Sequence, residues 1–293
     1  MQPEAFPDPA AVSDALDAVG YLPDPGLATA AFLALRMHRP LFLEGDPGVG
    51  KTALAQALAT ITGAELIRLQ CYEGIDASQA LYDWDFPRQI LHLRASGDTA
   101  SYSDTEALEA SLYDRRYLIA RPILQALEAS PAALLIDEID RADDEFEAFL
   151  LEVLAENSVT IPELGTITAK TPPLVVITSN RTREVHDALK RRCLYHWVAH
   201  PDFAREVAIV RRRVPEAGEQ LAKEVATAVA RLREANLLKP PGIAETIDWT
   251  QALHVLGVSH LDPETADRTL GAALKYHEDI ARVRRELDTL FSG

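Results

Sequence analysis

Residues 41–59 read LFLEGDPGVGKTALAQALA: an apolar run, a glycine-rich turn holding one lysine, and then a helical pattern. A mostly apolar four-residue run bounded by glycine makes a short buried strand. Leu54, Leu58 and Ile61 then recur at helical spacing until Gly63 supplies the stop. The most permissive backbone of the stretch therefore lies between a strand and a helix. Gly45, Asp46, Pro47, Gly48, Val49, Gly50, Lys51 and Thr52 fill the phosphate-loop pattern G-x-x-x-x-G-K-[ST]. Glycines let successive main-chain N–H groups curl towards one anion, the helix start adds the positive end of its dipole, and Lys51 adds a full charge. Thr52 offers its hydroxyl to a magnesium ion. Together with Ala53, which continues the helix, these residues form the expected ATP-binding set.

The alternation continues outward from this stretch. Further strands are expected at residues 65–69, 133–137, 174–178 and 194–198, with helical patterns between most of them, which implies a parallel sheet covered by helices. Ahead of the loop, helices are expected over residues 12–19 and 27–38, the second halted by Pro40. After His200 and Pro201 the periods are helical only: Phe203, Val207 and Val210, then Leu221, Val225, Val229 and Leu232. Two more helices are expected at 248–256 and 263–287. The expected organisation is an N-terminal extension over 1–25, a nucleotide-binding αβα domain over 26–200 with an insert at about 72–117, and a helical domain over 201–293.

Composition narrows the partners. The chain of 293 residues is long enough for two cores. Its 29 Lys and Arg against 45 Asp and Glu leave a net charge of −16, which argues against broad attraction to phosphate backbones and hence against nucleic acid as the main partner. Cys71 and Cys193 are the only cysteines, and no Cys/His cluster has zinc spacing, so neither a disulfide framework nor a structural metal is expected. No apolar run reaches membrane-spanning length, and the first residues lack the basic start and apolar core of a signal peptide. The expected compartment is the cytoplasm.

Three further stretches bear on the fate of the phosphate. In ALLIDEIDRA (133–142) an apolar strand ends in Asp137 and Glu138; the first carboxylate can hold Mg²⁺ and the second can orient and deprotonate a water, which favours hydrolysis over transfer. In LVVITSN (174–180) a second buried strand can bring Asn180 beside the γ-phosphate, since ligands sit at the carboxyl ends of such strands. In DALKRRCLYHW (187–197) Lys190, Arg191 and Arg192 read equally as a solvated basic turn or as a source of an arginine that reaches a neighbouring subunit's γ-phosphate.

In this order and followed by helices, these pieces resemble the AAA+ ATPases over nearly the whole chain from about residue 26. DEIDRA, the helical part and its proline-marked start look like the MoxR family, and LIRLQCYEGIDASQALYDWDFPRQILHLRA (66–95) looks like its CoxD-like branch. The resemblance implies an α/β fold, an AAA+ P-loop NTPase with a parallel five-stranded αβα sheet domain followed by a small all-helical lid. It implies that Lys51 and Thr52 serve phosphate and Mg²⁺, that Asp137 is the second Mg²⁺ contact, Glu138 the catalytic base and Asn180 the polar sensor. Arg192 falls where the family's arginine finger is expected, with Arg191 as substitute, and the implied assembly is a homo-oligomeric ring of six. One departure stands out: AETIDWTQAL (244–253) offers Trp249 where related proteins often carry a lid arginine.

The expected function is that of an ATP-hydrolysing remodelling ATPase acting on a protein client. By the resemblance, the setting is maturation of a metalloenzyme, a molybdenum hydroxylase such as carbon monoxide dehydrogenase, with a partner bearing a von Willebrand factor A domain. Two rivals stay open: a nucleic-acid-linked ATPase of clamp-loader or helicase-loader type, and a nucleotide-gated scaffold without turnover. Tyr72, Tyr82, Trp84, Phe86, Tyr102, Tyr113 and Tyr117 crowd the insert and read either as packing or as a client-gripping surface. VTIPELGTITA (159–169) reads as a hairpin around Gly165.

Overall fold

The computed structural model describes residues 6–96 and 112–287. Tyr102 and the middle of the insert lie outside the described residues. Two helices lead in, α1 (Pro9–Ala18) and α2 (Pro25–Met37). Each starts at a proline preceded by an aspartate whose carboxylate accepts a main-chain N–H, Asp8 from Ala11 and Asp24 from Leu27. Then come β1 (Leu41–Glu44), α3 (Lys51–Thr62) and β2 (Glu65–Gln70). Gly63 ends α3 in the left-handed region, its N–H returning to the Ala59 and Thr60 carbonyls. Between β2 and β5 (Ala132–Asp137) lie α4 (Ala77–Ala80), β3 (Tyr82–Trp84), α5 (Phe86–Ser96), β4 (Leu118–Ala120) and α6 (Pro122–Glu128). Beyond are α7 (Asp144–Glu156), β6 (Ser158–Ile161), β7 (Gly165–Thr168), β8 (Leu174–Ser179), α8 (Asp187–Arg192) and β9 (Leu194–Trp197).

Five strands form one parallel sheet in the order β2-β5-β8-β1-β9. The three central strands are buried at every position and read as apolar runs up to the polar residues at their carboxyl ends; the edge strands β2 and β9 are only partly buried. Alternation divides the core. Leu41, Leu43, Leu135 and Val176 face α1, α2 and α3, while Phe42, Leu134, Ile136 and Ile177 face α6 and α7. Residues 158–168 form the expected hairpin, with Ser158 opposite Thr168. An unexpected pairing joins the two ends of the insert: β3 runs antiparallel to β4, Tyr82 opposite Ala120. Near it half-buried Trp84 meets Tyr82 and Tyr113 edge to face and Tyr117 is buried, so Tyr82, Trp84 and Tyr117 serve packing, whereas Tyr72, Phe86 and Tyr113 are exposed.

The C-terminal part is helical throughout: α9 (Phe203–Arg213), α10 (Glu219–Glu234), α11 (Ile243–Val255), α12 (Pro263–Ala273) and α13 (His277–Arg285). Leu221, Val225, Val229, Leu232, Trp249, Leu253, Leu270 and Val283 make its core. The single helix expected over 263–287 is two. Leu274, buried and extended, ends α12, and the turn lets α13 fold back so that Val283 enters the core and buried Asp279 accepts the N–H groups of Leu238 and Lys239. A buried ion pair ties three of these helices: Glu206 accepts two hydrogen bonds from Arg233, at 2.6 and 2.8 Å, and one from Thr246 Oγ1 at 2.7 Å.

Candidate active site

Because β5, β8 and β1 are neighbours in the sheet, their carboxyl ends bring the glycine loop, Asp137-Glu138 and Thr178–Asn180 to one place. The loop leaves β1 at Gly45, where an added Cβ would lie 2.3 Å from the Val198 carbonyl oxygen, so glycine is required there. Gly48 and Gly50 have φ of +80° and +97°, which turns the chain tightly before α3. Lys51 is buried, and its ammonium curls back to donate to the Gly45 and Asp46 carbonyls, each at 2.8 Å, which leaves one of its three donors for a ligand. Burial pulls this ammonium below its usual range, against the opposing pull of Asp140, Asp46, Asp137 and Glu138.

The two adjacent acids have different surroundings. Asp137 is buried and accepts from Thr178 Oγ1 at 2.5 Å, from Thr52 Oγ1 at 3.2 Å and from Arg68 Nη2 at 2.6 Å. Glu138 sits in the left-handed region at φ +57°, a strained conformation for a residue with a Cβ, with its N–H donating to Thr178 Oγ1 at 2.9 Å. That turn sends its carboxylate the other way, where Oε2 accepts from Gln70 Nε2 and from Arg141 Nη1, both at 3.1 Å. Buried Asp140 accepts the N–H groups of Asn180 at 3.2 Å and of Thr182 at 2.8 Å, which fixes the loop carrying Asn180. Cys71, beside these acids, is pushed up to about 12, by burial first and then by Asp137 and Asp140, so it stays a thiol.

Above the loop is a cavity of about 380 Å³, a size fit for a small-molecule ligand. Pro47 to Ala53, Asp137, Glu138, Thr178 and Asn180 form its floor; Tyr21 and Leu22 form one wall; Ile209, Arg213, Ile243, Ala244 and Ile247 from the helical part form the other. The Ala244 N–H donates to the Gly48 carbonyl at 3.3 Å, so the start of α11 rests directly on the glycine loop. Trp249 is on the same helix but fully buried, its Nε1 donating to Thr269 Oγ1 at 2.8 Å. The arginines that the helical part does bring to the cavity come from α9: Arg205, which donates to the Leu22 carbonyl at 2.8 Å, and the exposed Arg213. Arg191 and Arg192 end α8 outside the cavity lining. Arg192 Nη1 donates to the Leu151 carbonyl at 2.6 Å, and Arg39 donates to the carbonyls of Arg191, Arg192 and Cys193.

The donor set fits magnesium. A hydroxyl and a carboxylate, both hard oxygen donors, meet at Thr52 and Asp137, and no cluster of three or more His, Cys, Asp or Glu side chains among the described residues is set to hold a metal by itself. Magnesium takes one or two protein oxygens and completes its shell from phosphate and water. Sequence reasoning passed over Arg68 and Gln70, although their i, i+2 spacing in a strand whose Gln70 pairs in register with Asp137 puts both beside the acids. It also passed over Tyr21, Leu22 and the α9 and α11 residues, which reach the cavity only through the tertiary fold.

Residues 40–193 match the family described as AAA domain (dynein-related subfamily). The chain is 54% identical over 48 residues to Midasin of Giardia intestinalis, a stretch that covers 16% of this chain and 1% of that protein. It is 28% identical over 196 residues to Uncharacterized protein YehL of Escherichia coli (strain K12), covering 64% of this chain and 49% of that one. The chain thus spans half or less of the curated relatives it matches. Among solved structures, the Thermotoga maritima RuvB Holliday junction branch migration motor is similar with a TM-score of 0.43 at 16% identity, over 89% of this chain and 67% of that one.

Proposed function

The chain belongs to the dynein-related subfamily of AAA domains and is an ATPase, and from that premise we propose that it is a MoxR-type remodelling ATPase of the CoxD-like branch, acting on a protein client. The observation that carries this reading is that the cavity is walled on one side by the glycine loop and the acids and on the other by helices α9 and α11. A nucleotide bound there touches both parts of the molecule, so its hydrolysis changes how they meet. In this reading the N–H groups from Gly48 to Ala53 and the free donor of Lys51 hold the phosphates. Thr52 and Asp137 would hold magnesium, which when bound supplies positive charge to the phosphate oxygens. Glu138 takes the proton of the attacking water, and for this its carboxylate leaves Gln70 and Arg141. Asn180, on the loop fixed by Asp140, gives the γ-phosphate a neutral donor.

The remaining roles need other chains. Arg192, with Arg191 as substitute, serves a neighbouring subunit's γ-phosphate in a hexameric ring; for that Arg192 releases the Leu151 carbonyl. The client is a metalloenzyme under maturation, a molybdenum hydroxylase such as carbon monoxide dehydrogenase, and the partner carries a von Willebrand factor A domain. The acidic balance supports a protein client over nucleic acid, and two free buried thiols, Cys71 and Cys193, suit the cytoplasm. The test compares wild type, Lys51→Met and Glu138→Gln. ATP binding lost in the first, and kept without turnover in the second, is expected, with turnover of the wild type raised by the purified partner. Turnover raised by DNA and not by the partner overturns the client assignment. Full turnover in Glu138→Gln overturns the base, and biological function kept without turnover returns the scaffold reading. Subunit mixtures of Glu138→Gln with Arg191→Ala or Arg192→Ala identify the arginine acting in trans.

A further inference from the structure

The carboxylate suited to magnesium already carries a cation. Arg68 Nη2 is 2.6 Å from Asp137 Oδ2, an oxygen that also lies 3.3 Å from the hydroxyl of Thr52. We propose that Arg68 is a positioning residue that balances the Asp137 charge in the nucleotide-free protein and competes with magnesium for that oxygen, so that the metal is admitted together with nucleotide and not alone. The proposal rests on the reading of the cavity as an ATP site.

Three features carry it. First, the Asp137 side chain is 4% exposed, and its other hydrogen-bond donors, Thr52 and Thr178, are neutral hydroxyls; the nearby Lys51 ammonium directs two of its donors to the Gly45 and Asp46 carbonyls, so Arg68 supplies the direct ion pair that a buried carboxylate needs. Second, the Arg68 side chain is 53% exposed and springs from the edge strand β2, so its guanidinium can move into water without unpacking any core. The same Nη2 donates to Gln70 Oε1 at 2.5 Å, which aims it at the acid. Third, a guanidinium and a dication repel, and both need the same carboxylate. Phosphate oxygens arriving on the loop add the negative charge that tips the balance to the metal.

The experiment uses the full chain with Arg68→Met and Arg68→Lys, a fluorescent ATP analogue, and magnesium chloride titrated after treatment with EDTA. In Arg68→Met the magnesium concentration giving half-maximal enhancement of analogue binding falls about tenfold, the scale for a half-exposed charged pair at good geometry. Arg68→Lys, which keeps the charge but loses the planar fork, lies between. A second readout needs no nucleotide: in EDTA the Met variant melts below wild type, and magnesium alone restores more of its stability than it adds to wild type. If Arg68→Met does not fold, a lowered midpoint in Arg68→Lys carries the same weight. A midpoint unchanged within about twofold, or raised, overturns the proposal. Failure of wild type to bind the analogue, with or without magnesium, overturns instead the ATP-site reading beneath it.

Discussion

Replacing Gly45 by alanine tests how tightly the phosphate loop is mounted. The added Cβ would lie 2.3 Å from the Val198 carbonyl oxygen, 3.3 Å from its carbon and 3.4 Å from Val49 Cγ2. Ordinary contact needs roughly 1 Å more against that oxygen. No side chain can rotate away, because the obstacle is main chain and is itself pinned: the Val198 N–H donates to the Glu44 carbonyl at 2.7 Å, and the Gly45 N–H to the Ser179 carbonyl at 3.3 Å. Either β9 or the loop must therefore shift, at a cost of about 2–3 kcal/mol, as for overpacking of a well-filled core. In a chain of this length that lowers the melting temperature by about 4–10 °C. A loop displaced by that amount misaligns its amides, so ATP affinity falls about 10- to 100-fold. Gly63→Ala is the control: φ is +61° and nothing lies within 4 Å, so only the backbone penalty of about 1 kcal/mol applies, with ATP affinity intact. Differential scanning fluorimetry and equilibrium binding of a fluorescent ATP analogue read both quantities. Wild-type affinity in Gly45→Ala, with melting lowered no more than in Gly63→Ala, refutes the steric reasoning.

Thr178→Val removes the hydroxyl that serves both Asp137 and the Glu138 N–H; a loss of about 2–3 kcal/mol is expected, with ATP turnover depressed, and unchanged turnover by phosphate release counts against it. In the helical part, Arg233→Met strands the buried Glu206 carboxylate and costs about 3–5 kcal/mol, whereas Glu206→Leu with Arg233→Met costs far less than the sum of the single changes; urea unfolding across the double-mutant cycle checks this, and additivity would refute it. His200 gives a pH test. Burial first, then the Arg233 charge, holds its imidazole below the ordinary 6.5 against the pull of Asp46. The unfolded chain then binds this proton more readily, so stability is level above about pH 6.5 and falls below it. The unfolding midpoint of wild type between pH 7.5 and 5.5 should drop more than that of His200→Gln, and equal drops dispose of the idea.

The central strands were legible because a parallel sheet covered on both faces demands near-continuous apolar runs, and 41–44, 133–137 and 174–178 are apolar up to their last residue. The glycine loop was legible because its constraints are local. The break at Leu274–Tyr276 was not: no glycine or proline marks it, and what ends α12 is the burial of Leu274 and the anchoring of Asp279 to the amides of Leu238 and Lys239, which are distant in sequence. The β3–β4 pair is three residues a side, too short for any alternation to register. Arg68 looked like an ordinary charge on an edge strand, and only the register of β2 against β5 gives it a partner. The upper walls of the cavity come from Tyr21, Ile209 and Ile243, whose apolar or aromatic character says nothing about which void they border.

The bond from the Ala244 amide to the Gly48 oxygen is main chain at both ends, so the link between the glycine loop and α11 does not depend on which side chains happen to stand there. A single such bond is worth about 0.5–1.5 kcal/mol, firm enough to set a resting pose and weak enough for thermal motion to undo. In the remodelling reading proposed above it would act as a latch: a stroke that swings the helices off the nucleotide has to open it first, and the return finds the same two atoms waiting.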